Sequence, residues 1–363
     1  YGDQEFDRIS ELVGQITKYS IKLDLFSDVV QEVNRAYHFA ISGRPGPVWI
    51  DIPMDVQSKY ISTSDIKSKS KYIPIPHKDI YLKKATKAQI DLVLNKLTNS
   101  KRPILYAGPG IRAYRAYESF QRLVELLKIP VVTSWNAHDL IPTDNPLFVG
   151  RPGLRGERVG NWVTHAADLI IICGDYLSTR QIGYTDETFA SDSFKIMIDH
   201  DFYELHKPNI NIDMPINANL NEFFISLYEV VKHENVQINS IWRDKSRMLW
   251  DKYKPSYNHY LKKNNKVNPY HFLFDLFDTL EGEETIILGN GISVVGAFQT
   301  SHIKKRQRNF QNFGSASMGY DLPASIGAWL AGAKHIICLT GDGSIQLNIQ
   351  ELQSIQSLNI KLS

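Results

Sequence analysis

Short apolar runs alternate with helical segments across residues 85–232, and this alternation constrains the fold more than any other feature. The strand-like runs are RPILYAG, IPVVTSW, ADLIIICGD and FKIMIDHD, and helical segments such as ATKAQIDLVLNKLTNS and YESFQRLVELLK lie among them. Strands that alternate with helices in this way are typical of a parallel sheet covered by helices. The sequence therefore predicts an α/β protein built on parallel sheets.

Shorter α/β blocks lie on either side of this region. Residues 1–60 contain the predicted helix DVVQEVNRAYHFAI, with Ser27 as its N-cap, and a predicted strand over 48–52. Residues 61–84 are polar and rich in Lys and Ser, which indicates a linker. Residues 265–363 begin with the helix NPYHFLFDLFDTL and the strand TIILGNG, and end with LNIKLS, the pattern of a further parallel strand. The small first block and this last strand predict a chain truncated at both ends relative to a functional protein.

The composition is that of an ordinary globular protein, with 43% hydrophobic and 22% charged residues. A formal net charge of +2 gives no electrostatic reason to expect nucleic acid as a partner, and no apolar run is long enough to span a membrane. Cys173 and Cys338 each lie in an apolar run, which predicts core residues in a reducing compartment. We therefore expect a cytoplasmic protein without nucleic-acid or membrane partners.

The stretch LTGDGSIQLNIQELQ, residues 339–353, places an acidic residue where a predicted strand is followed by a predicted helix. Apolar residues recur at helical spacing after it, at Ile349, Leu352, Ile355 and Leu358. Gly341 and Gly343 permit a ligand to approach the backbone, and helix N-termini attract anions. Because Asp342 would repel a phosphate group, the pattern predicts a cation, most naturally Mg²⁺, between Asp342 and a phosphorylated ligand. The alternative is that Asp342 only caps the helix.

Two other glycine-containing turns are less specific. AGPGIRA, residues 107–113, follows a strand and resembles part of a dinucleotide-binding loop, but the full G-x-G-x-x-G pattern is absent. A tight strand-to-helix turn accounts for it equally well. GNGISVVGAFQ, residues 289–299, has the features of an ordinary turn after a strand.

Taken in order, the motifs match those of one enzyme family. They are SGRPGPVWIDIPMDVQ, YAGPGI, ADLIIICGDYLSTRQIGY, MIDHDFYELHK, GSASMGYDLPASIGA and GDGSIQLNIQELQSI. The chain resembles the thiamine diphosphate-dependent enzymes of the acetolactate synthase type (large catalytic subunit). The resemblance implies a three-domain architecture: the C-terminal part of a pyrimidine-binding domain in 1–60, a central Rossmann-like domain in 85–232, and the first half of a diphosphate- and Mg²⁺-binding domain in 265–363. In acetolactate synthases the central domain holds FAD, so FAD is a further expected cofactor.

The resemblance also implies the residues that hold the cofactor. Asp342 matches the family's Mg²⁺ ligand, and the backbone of Gly341, Gly343 and Ser344 would approach the diphosphate. The remaining expected contacts are Gly291, Ile292 and Ser293 in the second diphosphate loop, and Ser317 and Met318 beside the aminopyrimidine. Met318 matches the bulky apolar residue that holds thiamine diphosphate bent.

Two residues are expected on the substrate side. Gln4, in YGDQEFD, matches a residue that lines the active site, although Asp3 replaces the family's Phe. Arg180, in YLSTR, matches a residue that meets a substrate carboxylate or the flavin. The chain departs from acetolactate synthases at GLRG, residues 153–156, and around Arg180, which leaves FAD binding open. The family's catalytic Glu and its second metal ligand, an Asn, have no match in the chain, so this fragment alone is expected to be inactive.

The function implied is Mg²⁺- and thiamine diphosphate-dependent decarboxylation of a 2-keto acid, pyruvate, with carboligation to a second carbonyl. Alternatives within this class are carboligation to a keto-sugar nucleotide and simple decarboxylation. A non-catalytic nucleotide-binding module and a degenerate paralogue are alternatives of another class. Family members place the cofactor between subunits, which implies a homodimer or homotetramer.

Overall fold

The computed structural model of the chain describes residues 8–42, 44–64, 66, 83–236, 238–259 and 266–363. The chain divides into two compact units, one ending at Lys83 and the other beginning at Lys84. Most of the predicted linker, residues 61–84, lies outside the described residues.

The described residues of the first unit include two short parallel strands and three helices. They are α1 (Arg8–Gly14), β1 (Ser20–Lys22), α2 (Val29–Ile41), β2 (Trp49–Asp51) and α3 (Met54–Gln57). Asp28, not Ser27, caps α2, because its carboxylate accepts a hydrogen bond from the Gln31 amide at 3.2 Å. The Ser27 hydroxyl instead donates to Asp24 in the preceding turn, so the predicted N-cap was wrong by one residue.

The larger unit begins with a five-stranded parallel sheet in the order β4-β3-β5-β6-β7. Its strands are β3 (Pro103–Ala107), β4 (Val131–Thr133), β5 (Leu169–Cys173), β6 (Phe194–Asp199) and β7 (Met214–Asn217). Its helices are α4 (Lys87–Asn99), α5 (Gly110–Ala113), α6 (Tyr117–Leu127), α7 (Arg158–Ala166), α8 (Thr179–Ile182), α9 (Phe202–Leu205), α10 (Leu220–His233) and α11 (Ile241–Tyr253). Every residue of β3 and β5 is buried, as expected for strands covered on both faces. The predicted α/β fold with a parallel sheet is therefore confirmed.

A second parallel sheet follows, in the order β10-β8-β9. Its elements are α12 (Pro269–Thr279), β8 (Thr285–Leu288), α13 (Ile292–Thr300), β9 (Arg308–Gln311), α14 (Asp321–Leu330), β10 (Ile336–Leu339), α15 (Asp342–Leu347) and α16 (Glu351–Ser357). The backbone of Ser363 exchanges hydrogen bonds with Ile336 and Cys338 of β10, as a further parallel strand would.

The helix predicted after the GDG turn is broken into α15 and α16. Asn348 ends α15 with φ −134°, outside the helical region, and its side-chain amide donates to the Gly319 carbonyl at 2.6 Å. The predicted change from strand to helix at the GDG turn is therefore present, but the helical stretch consists of two helices and not one.

Stacked aromatic rings join the two sheets of the larger unit. Trp135 lies between Phe298 of α13 and Phe313, with ring centroids 3.7 and 3.6 Å away and interplanar angles of 9° and 3°. Buried polar contacts support the same junction, including the His138 ring against the Ser301 hydroxyl at 2.5 Å. The loop after β9 is therefore held against the first sheet.

Candidate cofactor and metal site

The candidate site lies at the carboxyl ends of β8, β9 and β10. Parallel strands end at the same edge of a sheet, and the Gly289 amide after β8 donates to the carbonyl of Leu339 in β10 at 2.8 Å. Three loops leave this edge: 289–291, 312–320 and 340–341. Ligands of open parallel sheets bind at this edge.

The first loop ends at Gly291, and Ile292 and Ser293 follow it as the first residues of α13. Gly291 has φ +78° and ψ −136°, a backbone conformation that is strained for any residue with a side chain. The space around it is open, because a Cβ there would meet no atom within 4 Å. The Asn290 side chain accepts from the Gly291 amide at 2.8 Å and donates to the Ala316 carbonyl. Asn290 therefore connects this loop to the loop after β9, a role that the sequence analysis missed although Asn290 directly precedes the predicted contacts.

The GDG turn leaves the Asp342 carboxylate available. Gly341 occupies the N-cap position of α15, no side chain caps this helix, and Asp342 is exposed. In the described part of the chain, the Asp342 carboxylate has no hydrogen bond or ion pair. The alternative that Asp342 only caps the helix is therefore wrong.

The GDG turn meets the loop that carries Met318. The Ser344 hydroxyl accepts from the Gly319 amide at 2.9 Å, and a Cβ on Gly343 would lie 2.9 Å from the Met318 terminal methyl. Met318 and its neighbour Ser317 are both exposed. The structure thus brings together residues 317–319 and 343–344, which the sequence analysis had assigned to two separate motifs.

The Met318 loop has a constrained backbone. Ala316 has φ +52° and Gly319 has φ +82°. A non-glycine residue in the left-handed region costs conformational energy, and such positions cluster at ligand sites. The Asn348 amide and the Ser344 hydroxyl bond to opposite sides of Gly319, so α15 fixes the end of this loop.

Arg180 reaches the same loop from the first sheet. One guanidinium nitrogen donates to the Phe313 carbonyl at 2.8 Å, and the guanidinium lies 4.5 Å from the centre of the Phe313 ring. The side chain is exposed, and its Nε and second terminal nitrogen have no hydrogen-bond partner among the described residues. Gln4 lies outside the described residues.

In the first sheet, a dinucleotide such as FAD would be expected at the carboxyl ends of β3 and β5. The chain builds the sheet outwards in opposite directions from these two neighbouring strands, and ligands of such sheets bind at that point. The Gly108 and Gly110 amides there donate to the carbonyls of Cys173 and Gly174 at 2.9 and 2.8 Å. A Cβ on Gly108 would overlap the Gly174 carbonyl, so the two loops are in direct contact. Because neither glycine amide is open to a pyrophosphate, these residues do not fit a dinucleotide at this turn.

The sequence analysis missed one acidic residue near the site, Asp321 at the start of α14. It is fully buried, and it is the one charged residue in the run SMGYDLPASIGA, whose other members are mostly apolar or small. A charged residue in such a run is the signal that could have identified it.

In the described part of the chain, no group of three or more His, Cys, Asp or Glu residues is arranged to hold a metal ion. None of the described helices has both the length and the apolar character needed to cross a membrane.

Comparisons with known proteins identify the family. Residues 90–227 match the family described as "Thiamine pyrophosphate enzyme, central domain", and residues 289–363 match "Thiamine pyrophosphate enzyme, C-terminal TPP binding domain". The second match contains the Gly291 loop, the Met318 loop and the GDG turn. The chain belongs to the thiamine diphosphate-dependent enzymes of the acetolactate synthase type.

The chain is similar to acetolactate synthase large subunits from several organisms. The chain is 29% identical to the acetolactate synthase large subunit of Buchnera aphidicola, over 98% of the chain and 61% of the relative. It is 29% identical to that of Lactococcus lactis, over 99% of the chain and 60% of the relative. It is 31% identical to the probable acetolactate synthase large subunit of Methanocaldococcus jannaschii, over 98% of the chain and 60% of the relative. The chain thus spans about three fifths of the length of these relatives.

Proposed function

We propose that the protein decarboxylates pyruvate and joins the remaining two-carbon unit to a second carbonyl compound, with thiamine diphosphate and Mg²⁺ as cofactors. The observation that carries this proposal is the contact between the GDG turn and the Met318 loop. At this edge of the sheet lie the unbonded Asp342 carboxylate, the exposed Met318 side chain, and the two loops expected to bind diphosphate, at residues 289–291 and 340–341.

In this proposal Asp342 binds Mg²⁺, because a free carboxylate is a preferred ligand of this hard cation. The backbone of residues 341–344 and of residues 291–293 holds the diphosphate. Met318 and Ser317 would hold the aminopyrimidine end of the cofactor. Thiamine diphosphate, when bound, would supply a carbon nucleophile for the keto group and would stabilise the charge left when CO₂ departs.

Arg180 is proposed to bind the carboxylate of a 2-keto acid. One of its nitrogens is fixed to the Phe313 carbonyl, which holds the side chain beside the Met318 loop. The remaining nitrogens are available for a charge-assisted hydrogen bond to a carboxylate. The Phe313 ring under the guanidinium restricts its motion, so less entropy is lost when a substrate binds.

The proposal does not extend to FAD. A flavin dinucleotide requires donors for its pyrophosphate, and the glycine amides at the β3–β5 edge are bonded within the protein. The proposed reaction transfers carbon units and includes no step that oxidises or reduces the substrate.

A homodimer or homotetramer is part of the proposal. Its support is a group of exposed apolar side chains around the candidate site: Ile292, Met318, Leu347 and Ile349. Clusters of exposed apolar side chains are typical of protein interfaces. Light scattering on the purified protein should give a mass of two or four chains; a monomer at micromolar concentration would contradict this part.

The reaction is tested by product analysis. Because the 363-residue chain alone is expected to be inactive, the test uses the full-length protein. It is incubated with thiamine diphosphate, Mg²⁺ and ¹³C-labelled pyruvate and followed by NMR, with omission of thiamine diphosphate as the control. Acetolactate and CO₂ are expected. Acetaldehyde alone would indicate a simple decarboxylase, and turnover only with an added keto-sugar nucleotide would identify that acceptor. An absence of any product would favour a non-catalytic module or a degenerate paralogue and would contradict the proposal.

A further inference from the structure

Asp321 is a buried carboxylate without adequate partners. It is the first residue of α14 and is fully buried, at 0% relative exposure. Its Oδ1 accepts one long hydrogen bond, 3.3 Å, from the amide of the next residue, Leu322. Its Oδ2 has no hydrogen-bond partner in the part of the chain that the structure describes.

The Asp321 carboxylate lies under the candidate cofactor site. A Cβ on Gly289 would overlap its Oδ2, and the same Cβ would lie 3.0 Å from the Leu339 carbonyl. The carboxylate is therefore at the carboxyl ends of β8 and β10, where the loops 289–291 and 340–341 begin. Asp342 follows Leu339 by three residues, a distance that the chain spans in about 11 Å at most.

An ionised carboxylate in such a position is unfavourable unless a positive charge compensates for it. No Lys or Arg contacts Asp321 among the described residues, so compensation within the protein is limited to the N-terminus of α14 and the long hydrogen bond from Leu322. A divalent cation at Asp342 would be close, and charges interact strongly across a protein interior because it screens them less than water does. The cation would stabilise the buried charge, and the buried charge would in turn attract the cation.

We infer that Asp321 is a positioning residue of the metal site: its buried negative charge increases the affinity of the Asp342 carboxylate for a divalent cation. The inference rests on the proposed metal site at Asp342. Asp321 does not need to contact the ion, since the effect acts through space from below the two loops. The full burial of Asp321 and the contact with Gly289 keep the charge in a fixed place.

The test compares Asp321→Asn, which removes the charge with little change of shape, with Asp342→Asn and with the control Asp275→Asn, an exposed position on α12. Binding of Mn²⁺ in the presence of thiamine diphosphate is measured from the EPR signal of the free ion. Asp321→Asn should weaken Mn²⁺ binding about tenfold, Asp342→Asn should abolish it, and Asp275→Asn should leave it unchanged.

Thermal unfolding without metal provides a second readout that a merely structural role would move in the opposite direction. Asp321→Asn should raise the midpoint, because an amide is less costly to bury than an unpaired charge. Suppose that Asp342→Asn loses Mn²⁺ binding as expected. An unchanged Mn²⁺ affinity in Asp321→Asn, or a lower unfolding midpoint of Asp321→Asn without metal, would then overturn the inference alone. If Asp342→Asn binds Mn²⁺ like the wild type, the proposed metal site itself is wrong, and the inference is overturned with it.

Discussion

Replacement of Trp135 by alanine is the most informative perturbation of the junction that supports the candidate site. The indole is 2% exposed and stacks on Phe298 and Phe313 at centroid distances of 3.7 and 3.6 Å. The Gln311 side chain also donates to the Trp135 carbonyl, so the strand before the Met318 loop is attached to the same residue. The substitution removes one ring from a three-ring stack that joins the two sheets.

The expected cost can be worked from these contacts. Truncation of a buried Trp to Ala destabilises a protein by about 3–5 kcal/mol, which includes the cavity left behind. Each stacked aromatic pair contributes about 0.5–1.5 kcal/mol beyond its buried area, and Trp135 makes two such pairs, so we expect a value near the upper end. For a unit of this size the midpoint of unfolding should fall by roughly 10 °C.

The matched control is Trp162→Ala, because Trp162 on α7 is 45% exposed. It should cost about 1 kcal/mol, since 45% of its surface is already in contact with water. Thermal unfolding and calorimetric titration with thiamine diphosphate are measured on both variants. Trp135→Ala should lower both the midpoint and the affinity for the cofactor, because Phe313 leads into the Met318 loop. Equal effects of the two substitutions would refute the reasoning.

Two further predictions concern substrate binding and pH. Arg180→Gln should raise the KM for pyruvate about tenfold or more, because a charge-assisted hydrogen bond to the substrate carboxylate is lost, and it should have little effect on cofactor affinity. The control Arg306→Gln, which removes an exposed ion pair with Glu283, should change neither quantity. Both variants are measured by steady-state kinetics, and an unchanged KM in Arg180→Gln would exclude Arg180 from the substrate site. Burial lowers the pKa of His200 to about 4, so the unfolded chain binds an extra proton between about pH 6.5 and pH 4, and stability should fall as the pH is lowered through this window. His200→Phe should reduce that dependence in urea titrations at several pH values, unlike His233→Gln at an exposed position; equal pH profiles would contradict the assignment.

Local pattern was sufficient for elements whose burial is uniform along their length. The runs PILYA and LIIIC became β3 and β5 because strands covered on both faces require continuous apolar sequence. The pattern failed where a remote partner decides the conformation. Asn348, which separates α15 from α16, bonds to Gly319, which is 29 residues earlier in the chain. Periodicity in the helix contains no information about that partner.

The candidate site shows the same division. The sequence indicated Asp342 from the conflict between an acid and an anion-binding turn, and the structure places its side chain free of partners in the described part of the chain. The contact of Gly343 with Met318, and the full burial of Asp321, depend on how β8, β10 and α14 pack together. These features follow from tertiary packing, so single-sequence reasoning had no means to find them.

Calorimetric titration of the protein with thiamine diphosphate, with and without Mg²⁺, tests the central claim most directly. It should be performed on the wild type, Asp342→Asn and the exposed control Asp275→Asn. The account predicts Mg²⁺-dependent binding in the wild type and the control, and its loss in Asp342→Asn, because Asp342 would hold the cation that neutralises the diphosphate. Binding that is independent of both Mg²⁺ and Asp342 would contradict it.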